Sequence, residues 1–442
     1  MKIFTSYAVR LSGHSKVFND TVCKYRGAVD FYIAFIMEYP ELFASCTYSN
    51  NAVSIAERYT VSTKQHPEVT CDFGKKFYKF PSYLRRCAIA DAFGKVRSYI
   101  SRYHSWEETG MKGKRPGHPH AGYCYPNLYH GNTFRRTGTY SASIKVWIRN
   151  TWDWVDVTLR KCDVDYISRN CTQRKEFSPQ LQRFGKVWKL VFPFEENHNL
   201  HDKHITKQKI VAVDLGVNNA CTCCVMLPDG TVVGREFLHM SAEYDCLEHR
   251  LNKIKKAQSR GSKHTPRLWA SANAINRHIT LETAQFITDI VKRYGADCVI
   301  FEALELNGKR RGSKKQLLRL WRSRDIQSIV GNMVHRIGAR VSRVCAWNTS
   351  RLAYDGSGYV KRGKEADGIG DNYSVCQFAS GKVYHCDLNA SYNIGARYFV
   401  REILKSVTET QRLQLMAKVP SVCRRSTCTL SDLISLSAAL AI

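Results

Sequence analysis

Residues 210–237 read IVAVDLGVNNACTCCVMLPDGTVVGREF, and this stretch decides the fold of the second half of the chain. Its apolar runs are joined by the turn Pro228-Asp229-Gly230, which predicts a pair of strands. An acidic residue, Asp214, ends the first run. Segments with helical spacing then alternate with strand-like runs, which is typical of an α/β sheet.

Two further acidic residues stand in similar positions. Glu302 ends the apolar run that begins at Cys298, and Asp387 comes just before the helix that Asn389 is predicted to open. A desolvated, unpaired carboxylate is costly, so each of these acids needs compensation. Taken singly, each is more often a turn or helix-cap residue, and Asp387 in particular fits a helix cap. Together they predict a site for two Mg²⁺ ions, which need few protein oxygens and can promote hydrolysis of a phosphodiester.

The charge of the chain indicates a polyanionic partner. Its 442 residues include 67 Lys and Arg against 38 Asp and Glu, a net charge of +29, and both halves share the excess. A self-contained enzyme gains nothing from such self-repulsion. An anionic membrane surface would favour an amphipathic helix or a basic cluster, and neither stands out, so nucleic acid is the better prediction.

The 17 cysteines predict neither a disulfide framework nor a metal framework. They are scattered and odd in number, and the start of the chain lacks the apolar core of a signal peptide. We therefore expect reduced thiols and a cytoplasmic protein. The pair Cys221 and Cys224 has C-x-x-C spacing, but it lies in an apolar run, where buried cysteines act as small hydrophobic residues.

Three motifs resemble those of a known nuclease family. IVAVDLGVNNACTCCV (210–225), CVIFEAL (298–304) and HCDLNASYNIGAR (385–397) resemble the three RuvC motifs of transposon-encoded TnpB proteins and of type V CRISPR effector nucleases. The resemblance implies a multidomain α/β plus all-β protein. It would have an RNase H-like RuvC nuclease domain, preceded by a wedge-like β-barrel that a helical recognition lobe interrupts.

The same resemblance, combined with the pattern of strands and helices, predicts the domain boundaries. They are a β-barrel at 1–12 and 119–200, a recognition lobe at 13–118, a RuvC domain at 201–344 and 387–404, an insert at 345–386, and a C-terminal tail at 405–442.

What the resemblance implies for function is an RNA-guided DNA endonuclease. Asp214, Glu302 and Asp387 would bind two Mg²⁺ ions, with Mn²⁺ as a substitute, and hydrolyse DNA phosphodiesters. A guide RNA would pair with double-stranded target DNA next to a short adjacent motif. The sequence does not fix the oligomeric state or the origin of the guide.

The insert departs from the family pattern. The family has a four-cysteine zinc ribbon here, but this chain has Ala353, Gly356 and Ala379 where ligands are expected, and Cys376 remains. Tetrahedral zinc needs four N or S ligands. We therefore expect no structural zinc, and an insert kept as a β-hairpin-like, nucleic-acid-binding element.

Basic residues are the candidates for nucleic-acid contact, because Lys and Arg bind phosphates and aromatic neighbours stack on bases. Solvated helix faces and a helix core remain the alternatives for the charges and the aromatics, respectively. The candidates are Lys75, Lys76, Arg135, Arg136, Lys309, Arg310, Arg311, Lys314, Lys315, Arg319, Arg322, Arg324 and Arg351.

Two other functions stay open from the sequence. One is an RNA-guided DNA-binding regulator with little cleavage, and the other is a metal-dependent nuclease or transposase that acts without a guide. The intact acids argue against the first, and the long cationic front half argues against the second.

Overall fold

The computed structural model describes residues 1–440 except 65, 217–219, 263, 304–321, 367–373 and 425. The chain forms two compact units, Lys2–Glu196 and Asn197–Ile442, with Met1 joined to the second. Among the described residues, no helix combines the length and apolar character needed to cross a bilayer.

The first unit contains a seven-stranded sheet with the order β2-β3-β4-β1-β7-β5, in which β6 also pairs with β7. Buried and exposed side chains alternate along β3 and β7, as they do when one face of a sheet covers a core. Arg149 and Asn150 both have positive φ values and join β3 to β4 in a tight hairpin. The strands are β1 Lys2–Ser12, β2 Phe134–Gly138, β3 Ser141–Ile148, β4 Thr151–Leu159, β5 Lys175–Glu176, β6 Gln180–Phe184 and β7 Val187–Asn197.

Helices of the first unit share one hydrophobic core with this sheet. Buried residues recur at helical spacing along α1, for example at Phe18, Val22, Tyr25 and Val29, so one face of the helix is apolar. The helices are α1 Ser15–Glu38, α2 Ser49–Thr60, α3 Phe73–Lys76, α4 Ser82–Glu108 and α5 Lys161–Asn170.

The second unit is built around a five-stranded sheet with the order β10-β9-β8-β11-β12. β8, β9 and β10 pair antiparallel, whereas β11 lies parallel to both β8 and β12. β9 is buried along its whole length, and its cysteines are free thiols, as predicted. The strands are β8 Ile210–Asp214, β9 Cys221–Met226, β10 Val232–Leu238, β11 Cys298–Ala303 and β12 Arg340–Cys345.

Helices cover both faces of this sheet. Alternate residues of the central strands fall into two different cores. Ile210, Ala212 and Ile300 belong to one with α9, whereas Val211 and Val299 belong to the other with α7 and α8. The helices are α6 Ser241–Ser259, α7 Pro266–Tyr294, α8 Ser323–His335, α9 Cys386–Ser406, α10 Glu409–Lys418 and α11 Leu430–Leu440.

The structure adds detail to three expectations from the sequence. In the insert, β14 Val375–Gln377 and β15 Val383–His385 pair as an antiparallel hairpin, and β13 Lys361–Arg362 adds a third antiparallel strand. The C-terminal segment after 405 contains helices α10 and α11, which contribute to the core with α9. Helix α9 begins at Cys386, so Asp387 lies inside its first turn and not before the helix.

Gly395 lets α9 approach the centre of the sheet closely. A Cβ atom at this position would lie 3.0 Å from the Met226 Sδ, 3.1 Å from its Cε and 3.3 Å from the Ala212 Cβ. Gly331 in α8, on the other face, would meet nothing closer than 3.9 Å. Both glycines lie in helices that cover this sheet, but only Gly395 lacks room for a side chain, so Gly331 is a suitable control.

We predict that Gly395→Ala lowers the free energy of unfolding by about 1 kcal/mol, because the new methyl group overpacks the contact with the sheet. Gly331→Ala should raise it by about 0.5 kcal/mol, because alanine reduces the entropy of the unfolded chain. Urea unfolding of both variants checks this. A Gly395→Ala protein as stable as the wild type would refute the close contact.

Candidate functional site

Asp214 and Glu302 lie side by side at the ends of neighbouring parallel strands. The register of β8 and β11 pairs Ala212 with Ile300, and each acid lies two residues beyond that pair. Because side chains alternate, both acids lie on the face of the sheet that α9 covers. Neighbouring strands are about 4.8 Å apart, so the two carboxylates meet.

Asp387 completes the group of acids from the helix. It lies in the first turn of α9, which packs on the same face of the sheet. Its charge, like that of Glu302, acts on Asp214. The structure thus brings all three predicted acids into one electrostatic neighbourhood. Among the described residues, however, no group of three or more His, Cys, Asp or Glu side chains converges closely enough to hold a metal ion.

Burial and repulsion raise the pKa of the Asp214 carboxyl well above its usual range. Burial is the largest cause, followed by the charges of Glu302 and Asp387, while the guanidinium of Arg362 opposes them. Burial likewise raises the pKa of Glu302, against a hydrogen bond from Thr349 and the charge of Arg397. Pairs of acids with shifted pKa values are typical of functional sites.

Glu302 is held at both its side chain and its backbone. The hydroxyl of Thr349 donates a hydrogen bond to its Oε1. The Gln327 side chain donates to its backbone oxygen at 3.1 Å and accepts from the Nε of Arg343 at 2.7 Å. The carboxylate of Glu302 is therefore held by the loop after β12, and its backbone by α8, whose Gln327 is in turn held by β12.

Arg362 is a candidate site residue that the sequence did not single out. It lies on β13, its guanidinium donates to the backbone oxygen of Ser350, and its charge lowers the pKa of Asp214. Its Nε is buried and has no hydrogen-bond partner among the described residues. A cation with a spare donor beside carboxylates suits a bound phosphate.

Helix α9 ties the loop after β12 to the site through a ladder of polar side chains. Asn389 donates to the Leu352 oxygen at 2.8 Å, and Asn393 donates to the oxygens of Thr349 and Leu352 at 2.9 and 2.8 Å. Arg397 donates to the oxygens of Cys345 and Trp347, each at 2.7 Å. The spacing of four residues places the three side chains on one face of the helix. The sequence shows this four-residue spacing, so the ladder could have been predicted from it.

The predicted nucleic-acid-binding residues are spread over different places. Arg322 contacts Asn273 and Asp325, and Arg324 and Arg351 are exposed. Six of the predicted residues fall outside the described part of the chain: Lys309, Arg310, Arg311, Lys314, Lys315 and Arg319.

The predicted residues of the first unit lie on its surface. Lys75 and Lys76 are exposed on α3. Arg135 lies 4.3 Å from the ring centre of Trp154, and Arg136 bonds Glu176. Of the aromatic residues interleaved with nearby charges, Phe80 and Tyr99 are buried core residues, and Tyr78 is 71% exposed.

We predict that Asp214→Asn stabilises the protein in the presence of a chelator, by on the order of 1 kcal/mol, because it removes a repelled carboxylate. The folded state holds the Asp214 proton more tightly than the unfolded state does. The wild type therefore loses stability as the pH rises above the usual carboxyl range, and the gain should be larger at pH 8 than at pH 5. Thermal unfolding at both pH values measures it.

The matched control is Asp289→Asn, which changes an exposed acid on α7. It should shift stability by no more than about 0.5 kcal/mol at either pH. An Asp214→Asn protein that is no more stable than this control at pH 8 would contradict the electrostatic description of the site.

Comparison with known proteins bears on the family. The Aq_aa04 family model matches residues 5–148, which is less than half of the chain. An uncharacterized protein, aq_aa04, of Aquifex aeolicus (strain VF5) is 35% identical over 85 residues, which are 18% of this chain and 43% of that protein. Among solved structures, a Cas12f1–sgRNA–target DNA complex aligns with a TM-score of 0.45 and 13% identity, covering 89% of this chain and 98% of that one.

The relative that matches the longer stretch of sequence is a TnpB-like protein, aq_aa05, also of Aquifex aeolicus (strain VF5). It is 26% identical over 216 residues, which are 43% of this chain and 68% of the relative. This match confirms the resemblance to TnpB proteins that the three acid motifs predict.

Proposed function

We propose that the chain is an RNA-guided endonuclease that hydrolyses DNA phosphodiesters at Asp214, Glu302 and Asp387. The observation that carries this proposal is the placement of two acids at adjacent strand ends, with a third acid on the helix that covers them. A resting structure gains nothing from gathering like charges, so such a placement favours a catalytic role.

The topology of the second sheet supports an RNase H-like RuvC assignment. Three antiparallel strands are followed by two that run parallel to the first, with helices on both faces. The first and fourth strands along the chain lie next to each other, and they carry the acids at their carboxyl ends. In open α/β sheets this end of the strands is where ligands bind.

The residues suit divalent cations in their chemistry. Burial and then the charges of Glu302 and Asp387 raise the pKa of Asp214, so a bound cation would stabilise the three carboxylates in their charged form. Asp214, Glu302 and Asp387 would hold the ions, with Mg²⁺ as the expected metal and Mn²⁺ as a substitute. Such ions supply Lewis-acid stabilisation of the phosphodiester and lower the pKa of an attacking water.

The protein's own residues would position the reacting groups. Thr349 fixes one oxygen of Glu302 and so directs the other. Arg362 offers its unpaired Nε to a non-bridging phosphate oxygen next to Asp214. A donor placed in advance where charge develops can lower the barrier by several kcal/mol.

Guide RNA and double-stranded target DNA are the proposed partners. The net charge of +29, shared by both halves, supports binding of nucleic acid along much of the protein. Sequence would be read by base pairing with the guide, while the protein holds the backbone. In this proposal the wedge-like barrel (1–12, 119–200) and the recognition lobe (13–118) lie almost entirely in the first unit, and the insert at 345–386 contacts the target.

We predict that Asp214→Asn, Glu302→Gln and Asp387→Asn each reduce Mg²⁺-dependent cleavage by about a thousandfold or more, since each replaces a carboxylate ligand of the metal ions by a neutral amide. Guide-RNA binding should be unchanged, because none of these residues is proposed to hold the guide. Asp289→Asn is the control and should cleave normally. The test is single-turnover cleavage of a matched target, with the co-purified RNA sequenced and supplied as guide.

Two outcomes of that experiment would separate the alternatives. Cleavage retained by Asp214→Asn would refute the site. Wild-type protein that purifies without RNA and cleaves without it would indicate a guide-independent nuclease, whereas RNA-bound protein with no cleavage would indicate a DNA-binding regulator.

We predict that Arg362→Gln slows cleavage by about a hundredfold or more while target binding changes only a few-fold, because the guanidinium would act on the reacting phosphate. Lys361→Gln removes the same charge from the neighbouring, exposed position of β13 and is the matched control. Equal losses in the two variants would show that Arg362 contributes only general charge.

A further inference from the structure

One tryptophan of the second unit lies mostly in solvent. The side chain of Trp347 is 68% exposed, whereas the other tryptophans in the described part of the chain are buried or half-buried. Tryptophan is highly buried on average in folded proteins, because its ring has a large apolar surface. The ring of Trp347 contributes little to the core, so its place on the surface needs a reason other than packing.

The backbone that carries this ring is firmly held. The guanidinium of Arg397 donates a hydrogen bond to the backbone oxygen of Trp347 at 2.7 Å. The Thr349 hydroxyl donates to the Ala346 oxygen at 3.1 Å, and Asn348 has a φ of 58°, in the left-handed region. A tryptophan side chain has two rotatable dihedral angles, so little entropy is lost when a ligand covers it. The turn therefore presents a rigid, flat apolar surface to solvent.

A second exposed ring lies at the same surface. The side chain of Asn348, next to Trp347, donates to the Tyr359 hydroxyl at 3.3 Å, and Tyr359 is 64% exposed. We call Trp347 and Tyr359 the aromatic patch. Single exposed apolar residues are common on proteins, but large rings grouped around one polar side chain are typical of a binding surface.

The aromatic patch is tied to the segments that reach the proposed catalytic acids. Trp347 comes two residues before Thr349, whose hydroxyl bonds Glu302. Tyr359 comes three residues before Arg362, whose charge acts on another of the acids. Two residues of chain span at most about 7 Å, and successive nucleotides of a stacked DNA strand rise about 3.4 Å. The Trp347 ring can therefore reach a base within about two nucleotides of a phosphate bound at the acids.

The charge around the aromatic patch favours a nucleic-acid strand over a protein as the partner. Residues 343–364 contain five Lys or Arg and a single acid, Asp355. Proteins bind single strands by stacking bases on aromatic rings and by contacting the phosphates with basic side chains. Both kinds of side chain are present here.

We propose that Trp347 and Tyr359 stack on an unpaired base of the strand that the acids bind, with Trp347 providing most of the contact. The stacked base would fix the path of the strand and so hold the reacting phosphate at the acids. Every base has a π-face, so stacking tolerates any sequence, which suits a protein whose specificity comes from a guide. This inference rests on the proposed function, which places a strand at the acids.

Variants of Trp347 give the first test, by cleavage of a matched target at subsaturating protein. Trp347→Ala should slow cleavage about tenfold, since the loss of a base stack has a cost of this order. Trp347→Phe keeps an aromatic face and should stay within about threefold of the wild type. Leu413→Ala, which trims an exposed apolar side chain on α10, is the control and should cleave normally. Equal rates for Trp347→Ala and the wild type would overturn the proposal.

Targets that each lack one base within two nucleotides of the cut separate stacking from a structural role. The wild type should cleave one of these abasic targets about tenfold more slowly than the intact target. Trp347→Ala should cleave that abasic target as fast as it cleaves the intact one, because it has no ring to lose the contact. Equal slowing of both proteins at every position, or a wild type that no abasic site slows, would overturn the stacking. Thermal unfolding verifies that the variants are folded.

Photocrosslinking locates the base without using cleavage. The full chain is irradiated in EDTA with single-stranded DNA in which 5-iododeoxyuridine replaces thymidine, and the crosslinked peptide is identified by mass spectrometry. We expect a crosslink at Trp347 or Tyr359, in the wild type and in Leu413→Ala. A crosslink there in a protein that does not cleave would support the stacking and refute the proposed function. Cleavage without a crosslink at the aromatic patch would overturn this inference alone and leave the patch as a surface for a protein.

Discussion

Burial of the Asp214 carboxyl close to the charges of Glu302 and Asp387 is the constraint around which the second unit is arranged. Because β8 and β11 are parallel neighbours, Asp214 and Glu302 lie next to each other at the ends of these strands. Neither the sheet nor its cores compensates these charges, because the residues before each acid are buried and apolar. Compensation has to come from elements that cover the strand ends, and two segments distant in sequence provide it.

The first of these segments is helix α9, whose side chains donate hydrogen bonds to backbone oxygens of residues 345–352. Asn389, Asn393 and Arg397 satisfy carbonyl groups of the loop after β12, which would otherwise be buried without partners. The loop they hold contains Thr349, whose hydroxyl reaches Glu302. Helix α9 also carries Asp387, so it adds negative charge to the site. The same helix holds the loop whose Thr349 orients the carboxylate of Glu302.

The insert is held by packing where the family pattern has zinc ligands. Ala353 is fully buried, and with Val360, Cys376, Phe378 and Cys386 it forms a small apolar core. Several aromatic rings surround this core, among them Tyr354 at 5.4 Å from Phe378. Ala353 stands where the family pattern has a zinc ligand, and here it contributes a hydrophobic contact that helps to hold the described part of the insert against α9.

Much of the candidate site was predictable because strand ends and helix starts are local features. Asp214 and Glu302 follow apolar runs whose pattern specifies buried strands, and Asp387 falls within the first turn of a helix whose start the sequence placed three residues late. Arg362 was not predictable, because its role depends on how the insert folds back over the sheet.

The contribution of the insert to the site has a consequence for how the protein tolerates change. Arg362 and Thr349 both reach the acids from the region between β12 and α9, so the candidate site is complete only when this region is docked. Docking depends on amide and guanidinium side chains of α9 that bond backbone oxygens, and these contacts do not depend on which side chains the loop carries. Other positions of the region are constrained by their side chains, since Ala353 is fully buried in the small core of the insert and Thr349 bonds Glu302. A change in α9 that weakens this ladder would displace Thr349 and free the carboxylate of Glu302 before it unfolded the sheet, because the two cores around the strands have many other contacts. We therefore expect cleavage at the proposed site to be more sensitive to the polar face of α9 than stability is.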